Sequence, residues 1–75
     1  MTEKQIFKRM NEAYEQVYGD CIEDEWYGDD DPMVWKFYRP STDVCAKLVM
    51  RLDEKRIDIY EVRDHEFVRI GNYTW

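Results

Sequence analysis

Seventy-five residues carrying 17 acidic and 11 basic side chains, a net charge of −6, bound a single small domain that buries only about 60% of the surface its unfolded chain would expose. No apolar run reaches signal-peptide or membrane-span length, and two cysteines fall short of a disulfide framework, so a cytoplasmic protein with free thiols and no membrane partner is expected. The negative balance also argues against direct nucleic acid binding, because each phosphate contact would have to overcome repulsion.

The first element is a helix over residues 3–18. Ile6, Phe7, Met10, Ala13, Tyr14, Val17 and Tyr18 recur at spacings of three and four and mark one face. Thr2 and Gln5 have the spacing of a capping box, Met1 and Ile6 that of a hydrophobic staple, and Gly19 that of a left-handed stop. At 1.5 Å per residue the helix is about 24 Å long. Lys4, Lys8, Glu12, Glu15 and Gln16 fall on its opposite, solvated side.

Residues 20–31 form an acidic connector with seven carboxylates and no Lys or Arg: Asp20, Glu23, Asp24, Glu25, Asp29, Asp30 and Asp31, with Trp26 and Tyr27 among them. The other 63 residues hold ten acids against eleven bases, so the whole net charge belongs to this stretch. Strands are expected at about 33–39, 44–52, 57–63 and 67–70. Val44, Ala46, Leu48, Met50 and Leu52 alternate with Cys45, Lys47, Val49, Arg51 and Asp53, which gives one apolar and one mostly polar face. Between Ile57 and Arg63 the apolar residues move from one face (Ile57, Ile59) to the other (Tyr60, Val62), through a bulge near Ile59 or through burial on both sides. Gly71-Asn72 is expected to turn or kink the chain. Short polar connections join sequential strands as neighbours, so the expected fold is α+β: one amphipathic helix on a three- to four-stranded antiparallel meander. Ile6, Met10, Ala13, Tyr14 and Val17 should then meet Leu48, Met50 and Leu52. Trp35, Phe37, Tyr38, Tyr60, Tyr73 and Trp75 cannot all fit under one such helix, so some of them are expected on an exposed face or in a homodimer interface.

The sequence offers little for catalysis. His65 is the sole histidine and Ser41 the sole serine, each in a turn, and neither Cys21 nor Cys45 stands in a nucleophile or zinc motif. Three scattered glycines make no phosphate loop. Consecutive Asp29, Asp30 and Asp31 diverge, unlike the alternating ligands of a calcium loop, so no metal or cofactor is expected. The reading is therefore a non-enzymatic protein that meets a basic protein surface, one built for nucleic acid, through Asp20, Glu23, Asp24, Glu25, Trp26, Tyr27, Asp29, Asp30 and Asp31. Seven charges over twelve extended residues lie about 6 Å apart, but compacted as a helix they approach 3 Å, close to the 3.4 Å of one DNA strand. Mimicry of nucleic acid thus requires local order. Small acidic inhibitors made by phages and mobile elements share this profile of size and charge. The alternative is an adaptor or oligomeric subunit that pairs through an aromatic sheet face, with the acids only solubilising it.

Overall fold

A computed structural model describes residues 2–20, 26–28 and 33–75, with 26–28 described by their backbone alone. Helix α1, Glu3–Tyr18, is followed by strands β1 (Trp26–Gly28), β2 (Val34–Arg39), β3 (Val44–Arg51), β4 (Arg56–Arg63) and β5 (Glu66–Thr74), with a 3-10 turn at Leu52–Glu54. The strands form one antiparallel sheet in the order β1-β2-β3-β4-β5, and α1 packs across one side of it. This is the expected helix on a meander, extended at one edge by β1.

The helix ends where its sequence signals stand. The Thr2 hydroxyl accepts from the Gln5 backbone N–H at 3.2 Å, and the Gln5 side chain accepts from the Thr2 N–H at 2.9 Å, which closes the capping box. Gly19, at φ 76°, donates its N–H to the Glu15 carbonyl, a conformation that would strain any residue with a Cβ. Met1, the outer half of the expected staple, lies outside the described residues.

Period-two alternation decides what the helix covers. Cross-strand register puts Trp35 and Phe37 of β2 opposite Leu48 and Ala46 of β3, and Leu48 and Met50 opposite Ile59 and Ile57 of β4. Phe37, Ala46, Leu48, Met50, Ile57 and Ile59 make the buried core with Ile6, Met10, Ala13 and Tyr14 of α1, and Val17, Trp35, Tyr73 and Trp75 pack on its margin. Each fully buried Leu or Ile contributes roughly 1.5–3 kcal/mol relative to exposure.

Three expectations need correction. Leu52 does not join the core: β3 stops at Arg51, and the 3-10 turn leaves Leu52 42% exposed. The fourth expected strand is longer than 67–70, running through Gly71-Asn72 to Thr74 without a turn, because Ile57 and Asp58 remain paired with Tyr73 and Asn72. Residues 20–31 are not connector throughout, since Trp26–Gly28 pairs with β2. The bulge expected near Ile59 is present, with its extra residue in the partner strand. Ile59 is opposite Gly71 but Tyr60 is opposite Arg69, so Ile70 is an extra residue in β5.

That bulge has a large effect on side-chain placement. A one-residue slip turns every later side chain to the other face. Here it lets Ile70 and Tyr73 both pack on the core while Arg69 and Phe67 stand opposite Tyr60 and Val62 on the side away from the helix.

Candidate functional site

Of the nine residues expected to meet a partner, Asp20 is the one whose side chain is described. Its environment is built by Arg39, the last residue of β2, which points to the helix side and is only 6% exposed. The guanidinium lies 4.4 Å from the Tyr18 ring centroid and 5.4 Å from that of Tyr14, and it donates to the Tyr14 hydroxyl. Its two terminal nitrogens donate to the two Asp20 oxygens at 2.8 and 3.2 Å, a paired geometry that arginine matches better than lysine. These hydrogen bonds hold the Asp20 carboxyl below the ordinary carboxylate range and raise the already high pKa of Arg39. The Tyr18 hydroxyl in turn donates to Glu61 at 3.0 Å, and burial first, then Glu61, pushes its phenol pKa up. The chain leaving α1 is thus gripped at Asp20 by a buried cation.

Trp26 and Tyr27 pair through their backbone with Phe37 and Lys36, which ties the middle of the acidic stretch to the sheet edge. Glu23, Asp24, Glu25, Asp29, Asp30 and Asp31 lie outside the described residues, as does Cys21. Cys45 is exposed on the sheet, and Ser41 and His65 are exposed in the β2–β3 and β4–β5 turns. These three residues sit on different elements, with no described arrangement that joins them into a nucleophilic set.

The aromatic residues divide by face. Trp35, Phe37 and Tyr73 go to the helix side with Trp75, where Phe7 and Trp35 lie 5.5 Å apart and Tyr73 and Trp75 stack at 6.3 Å. Tyr38 and Tyr60 alternate to the opposite face, joined by Phe67 through the bulge.

That opposite face was only half legible in the sequence. Across β2–β5 the strands place Lys36, Lys47, Arg51, Arg56 and Arg69 on it with one carboxylate of their own, Asp58, and Glu54 of the 3-10 turn is ion-paired with Arg56 at 2.5 Å. Lys36 faces Lys47 directly, and Arg51 faces Arg56. Asp58, 2% exposed, sits beneath three arginines, with Arg56 at 2.9 Å, Arg51 at 3.4 Å and Arg69 at 3.8 Å. The Arg56 contact at 2.9 Å is a charge contact without hydrogen-bond alignment, since the Arg56 Nε and Asp58 Oδ1 atoms are buried with no hydrogen-bond partner. The Tyr60 hydroxyl, then Asp58, raises the Arg51 pKa. The Lys47 ammonium lies 4.3 Å from the Phe67 ring centroid and 5.1 Å from that of Tyr60. The alternation of Lys47 and Arg51 with the apolar residues of β3 announced part of this face. The contribution of β5 was hidden, because the bulge at Ile70 has no distinctive residue of its own.

Comparison with protein-family models, with curated proteins and with solved structures finds no match to this chain.

Proposed function

We propose that this chain is a protein-binding inhibitor that works without catalysis, residues 20–31 occupying a basic surface of another protein that itself holds nucleic acid. The observation that carries the reading is the confinement of seven carboxylates with no base to twelve consecutive residues, in a chain whose other 63 residues carry ten acids against eleven bases. Two structural features support it. Arg39 holds Asp20 at the start of the stretch, and Trp26–Gly28 is paired to β2 within it, so the backbone is fixed to the domain at two points. Fixing an acidic segment in advance lowers the ordering cost of binding, and opposed charge speeds encounter with a basic partner. The reading places the protein in the cytoplasm, and a phage or mobile element is the kind of genome expected to encode it.

The test is a six-site variant with Glu23→Gln, Asp24→Asn, Glu25→Gln, Asp29→Asn, Asp30→Asn and Asp31→Asn. Binding to a captured partner should weaken at least tenfold, and the salt dependence should flatten, because screening grows as the Debye length shrinks from about 10 Å at 0.1 M to 3 Å at 1 M. The partner's own nucleic acid should displace the parent protein. Unchanged affinity in the variant, or joint binding of protein, partner and nucleic acid, would overturn the reading.

A further inference from the structure

We infer that the outer edge of β5 pairs with β5 of a second copy of this chain, antiparallel about a two-fold axis at Val68, and so joins two sheets into one. This goes beyond the acidic-stretch reading and uses none of its residues.

A strand at the edge of a sheet presents unpaired N–H and C=O groups to any other strand unless it is short, interrupted or covered. At one edge β1 has three residues. At the other β5 has nine and no proline, and its bulge at Ile70 leaves residues 66–69 regular. Among the described residues no strand pairs with its outer side. Residues 21–25 are bounded by Asp20, held at β2 by Arg39, and by Trp26 on β1, four strand spacings or about 19 Å from β5. Their six links span at most roughly 21 Å in all, too little to go to β5 and return. Residues 29–32, between β1 and Met33, are fewer still.

Apolar surface lies at the same place. Val62, Phe67 and Val68 are 40–43% exposed, and Val62 and Phe67 face each other across β4 and β5. Both residues of the turn before β5, Asp64 and His65, are left-handed at φ 53° and 66°, the tight geometry that sets a strand in register from its first residue. Charges along the hairpin nearly cancel, with Glu61, Asp64 and Glu66 against Arg63 and Arg69. Two copies therefore meet here without strong local repulsion.

The order of residues in β5 selects the register. Facing residues of antiparallel strands lie on the same side of the sheet, so a two-fold axis must pass at a residue that faces itself. Glu66 or Arg69 at the axis opposes like charges. Ile70 and later residues fall at or past the bulge, which puts the two strands out of phase. Phe67 at the axis leaves Arg69 facing His65 and Glu66 facing Val68, which are poor pairs. Val68 at the axis sets Val68 against Val68 and places Phe67 opposite the partner's Arg69, in both directions. Arg69 is 50% exposed, and a guanidinium against an aromatic ring is attractive. Lys47 takes one side of the Phe67 ring, and the partner's Arg69 takes the other. Three facing pairs and their flanks fall well short of the roughly 1,600 Å² of a standard stable complex, so the dimer is weak and concentration-dependent.

The experiment follows the full chain from 20 µM to 1 mM by sedimentation and by amide shifts. The mean mass should rise toward that of a dimer, with shifts concentrated in residues 66–70. Each copy carries −6, so raising salt from 0.1 to 1 M should leave dimerisation unchanged or stronger, the reverse of what the acidic stretch should do on a basic partner. Val68→Arg should weaken the dimer at least tenfold, because it opposes two like charges at the axis. In a chain carrying Cys21→Ser and Cys45→Ser, oxidised glutathione should link Val68→Cys into a dimer and leave Phe67→Cys unlinked. Facing Cα atoms lie about 5 Å apart, whereas the two Phe67 positions lie about 8 Å apart, beyond disulfide reach. The six-site acidic variant should dimerise at least as well as the parent, so failure of the proposed inhibitor function leaves this inference standing. Should Val68→Arg lose its fold, the parent's amide shifts decide, and shifts outside β5 and its hairpin overturn the inference. So does a Val68→Arg variant that folds and dimerises like the parent, or linkage at Phe67 in place of Val68. A chain still monomeric at 1 mM would overturn it and leave the edge to a strand of another protein. A dimer abolished in the acidic variant would overturn it by assigning the contact to residues 20–31.

Discussion

The two faces of the sheet are made by alternate residues of the same strands, and they follow different physics. On the helix side the strands contribute Phe37, Ala46, Leu48, Met50, Ile57 and Ile59, all buried, and the polar groups there are paired at the margin: Arg39 with Asp20, Tyr18 with Glu61, Tyr73 with Glu12. On the open side Asp58 lies among Arg51, Arg56 and Arg69, Glu54 pairs with Arg56, and the Tyr60 and Phe67 rings lie against Lys47 rather than in a core. One face has apolar burial as its main source of stability. The other sets Arg51 directly across from Arg56, an arrangement that costs stability, and a small domain with about 5–15 kcal/mol in total has little to spare.

The largest expected effect tests the division itself. Leu48 and Val49 are neighbours in β3 on opposite faces, Leu48 fully buried and Val49 half-buried. Leu48→Ala should cost about 2–5 kcal/mol, since the cavity under α1 cannot collapse fully. Val49→Ala should cost about 1 kcal/mol or less. Urea denaturation of both variants measures the contrast, and equal losses would mean that the open face is packed as tightly as the covered one.

A smaller effect should come from the centre of the open face. Asp58→Asn removes the carboxylate that Arg51, Arg56 and Arg69 share but keeps the side-chain shape. Breaking a buried ion pair costs about 3–5 kcal/mol, and because the arginine side chains are 29–50% exposed solvent should reduce this to about 1–3 kcal/mol. Added salt should recover part of the loss by screening the arginines from one another. A loss that is indifferent to salt would assign Asp58 a packing role in place of an electrostatic one.

The covered face could be read from the sequence because its signals are local and periodic. Ile6, Met10, Ala13 and Tyr14 repeat at helical spacing, Thr2 with Gln5 and Gly19 mark the ends, and Ala46, Leu48 and Met50 alternate through β3. The misses arise where a tertiary pairing overrides a local cue. Gly71-Asn72 has the composition of a turn, but pairing with β4 keeps it extended. Leu52 continues the alternation of β3, but the 3-10 turn that reverses the chain begins there. Pairing also recruits Trp26–Gly28 out of an acid-rich segment whose composition disfavours strand. That some aromatics would leave the helix side was foreseen, but not which ones, because the bulge at Ile70 sets the phase of Phe67 and Arg69, and a bulge depends on the partner strand.

The mildest contrast lies in pH dependence, which should follow the paired polar groups of the covered face. Hydrogen bonding to Glu12 raises the Tyr73 phenol, and burial raises that of Tyr18, above the ordinary value near 10. A raised phenol pKa contributes stability that is complete below about pH 10 and is lost as pH climbs through the folded-state value. Depressed carboxyls act in the opposite sense. Arg39 lowers Asp20, and Tyr73 lowers Glu12. Their contribution is present above the ordinary carboxylate value near 4 and disappears as pH falls through the lower folded-state value. The parent protein should therefore lose urea resistance both above about pH 10 and below about pH 4. Tyr73→Phe should flatten both limbs, since it removes the raised phenol and the hydrogen bond that depresses Glu12. Tyr18→Phe should flatten the alkaline limb alone. Urea midpoints measured at pH 3, 7 and 11 distinguish the two variants, and an unaltered acid limb in Tyr73→Phe would show that the Tyr73–Glu12 contact does not hold that carboxyl in its charged form.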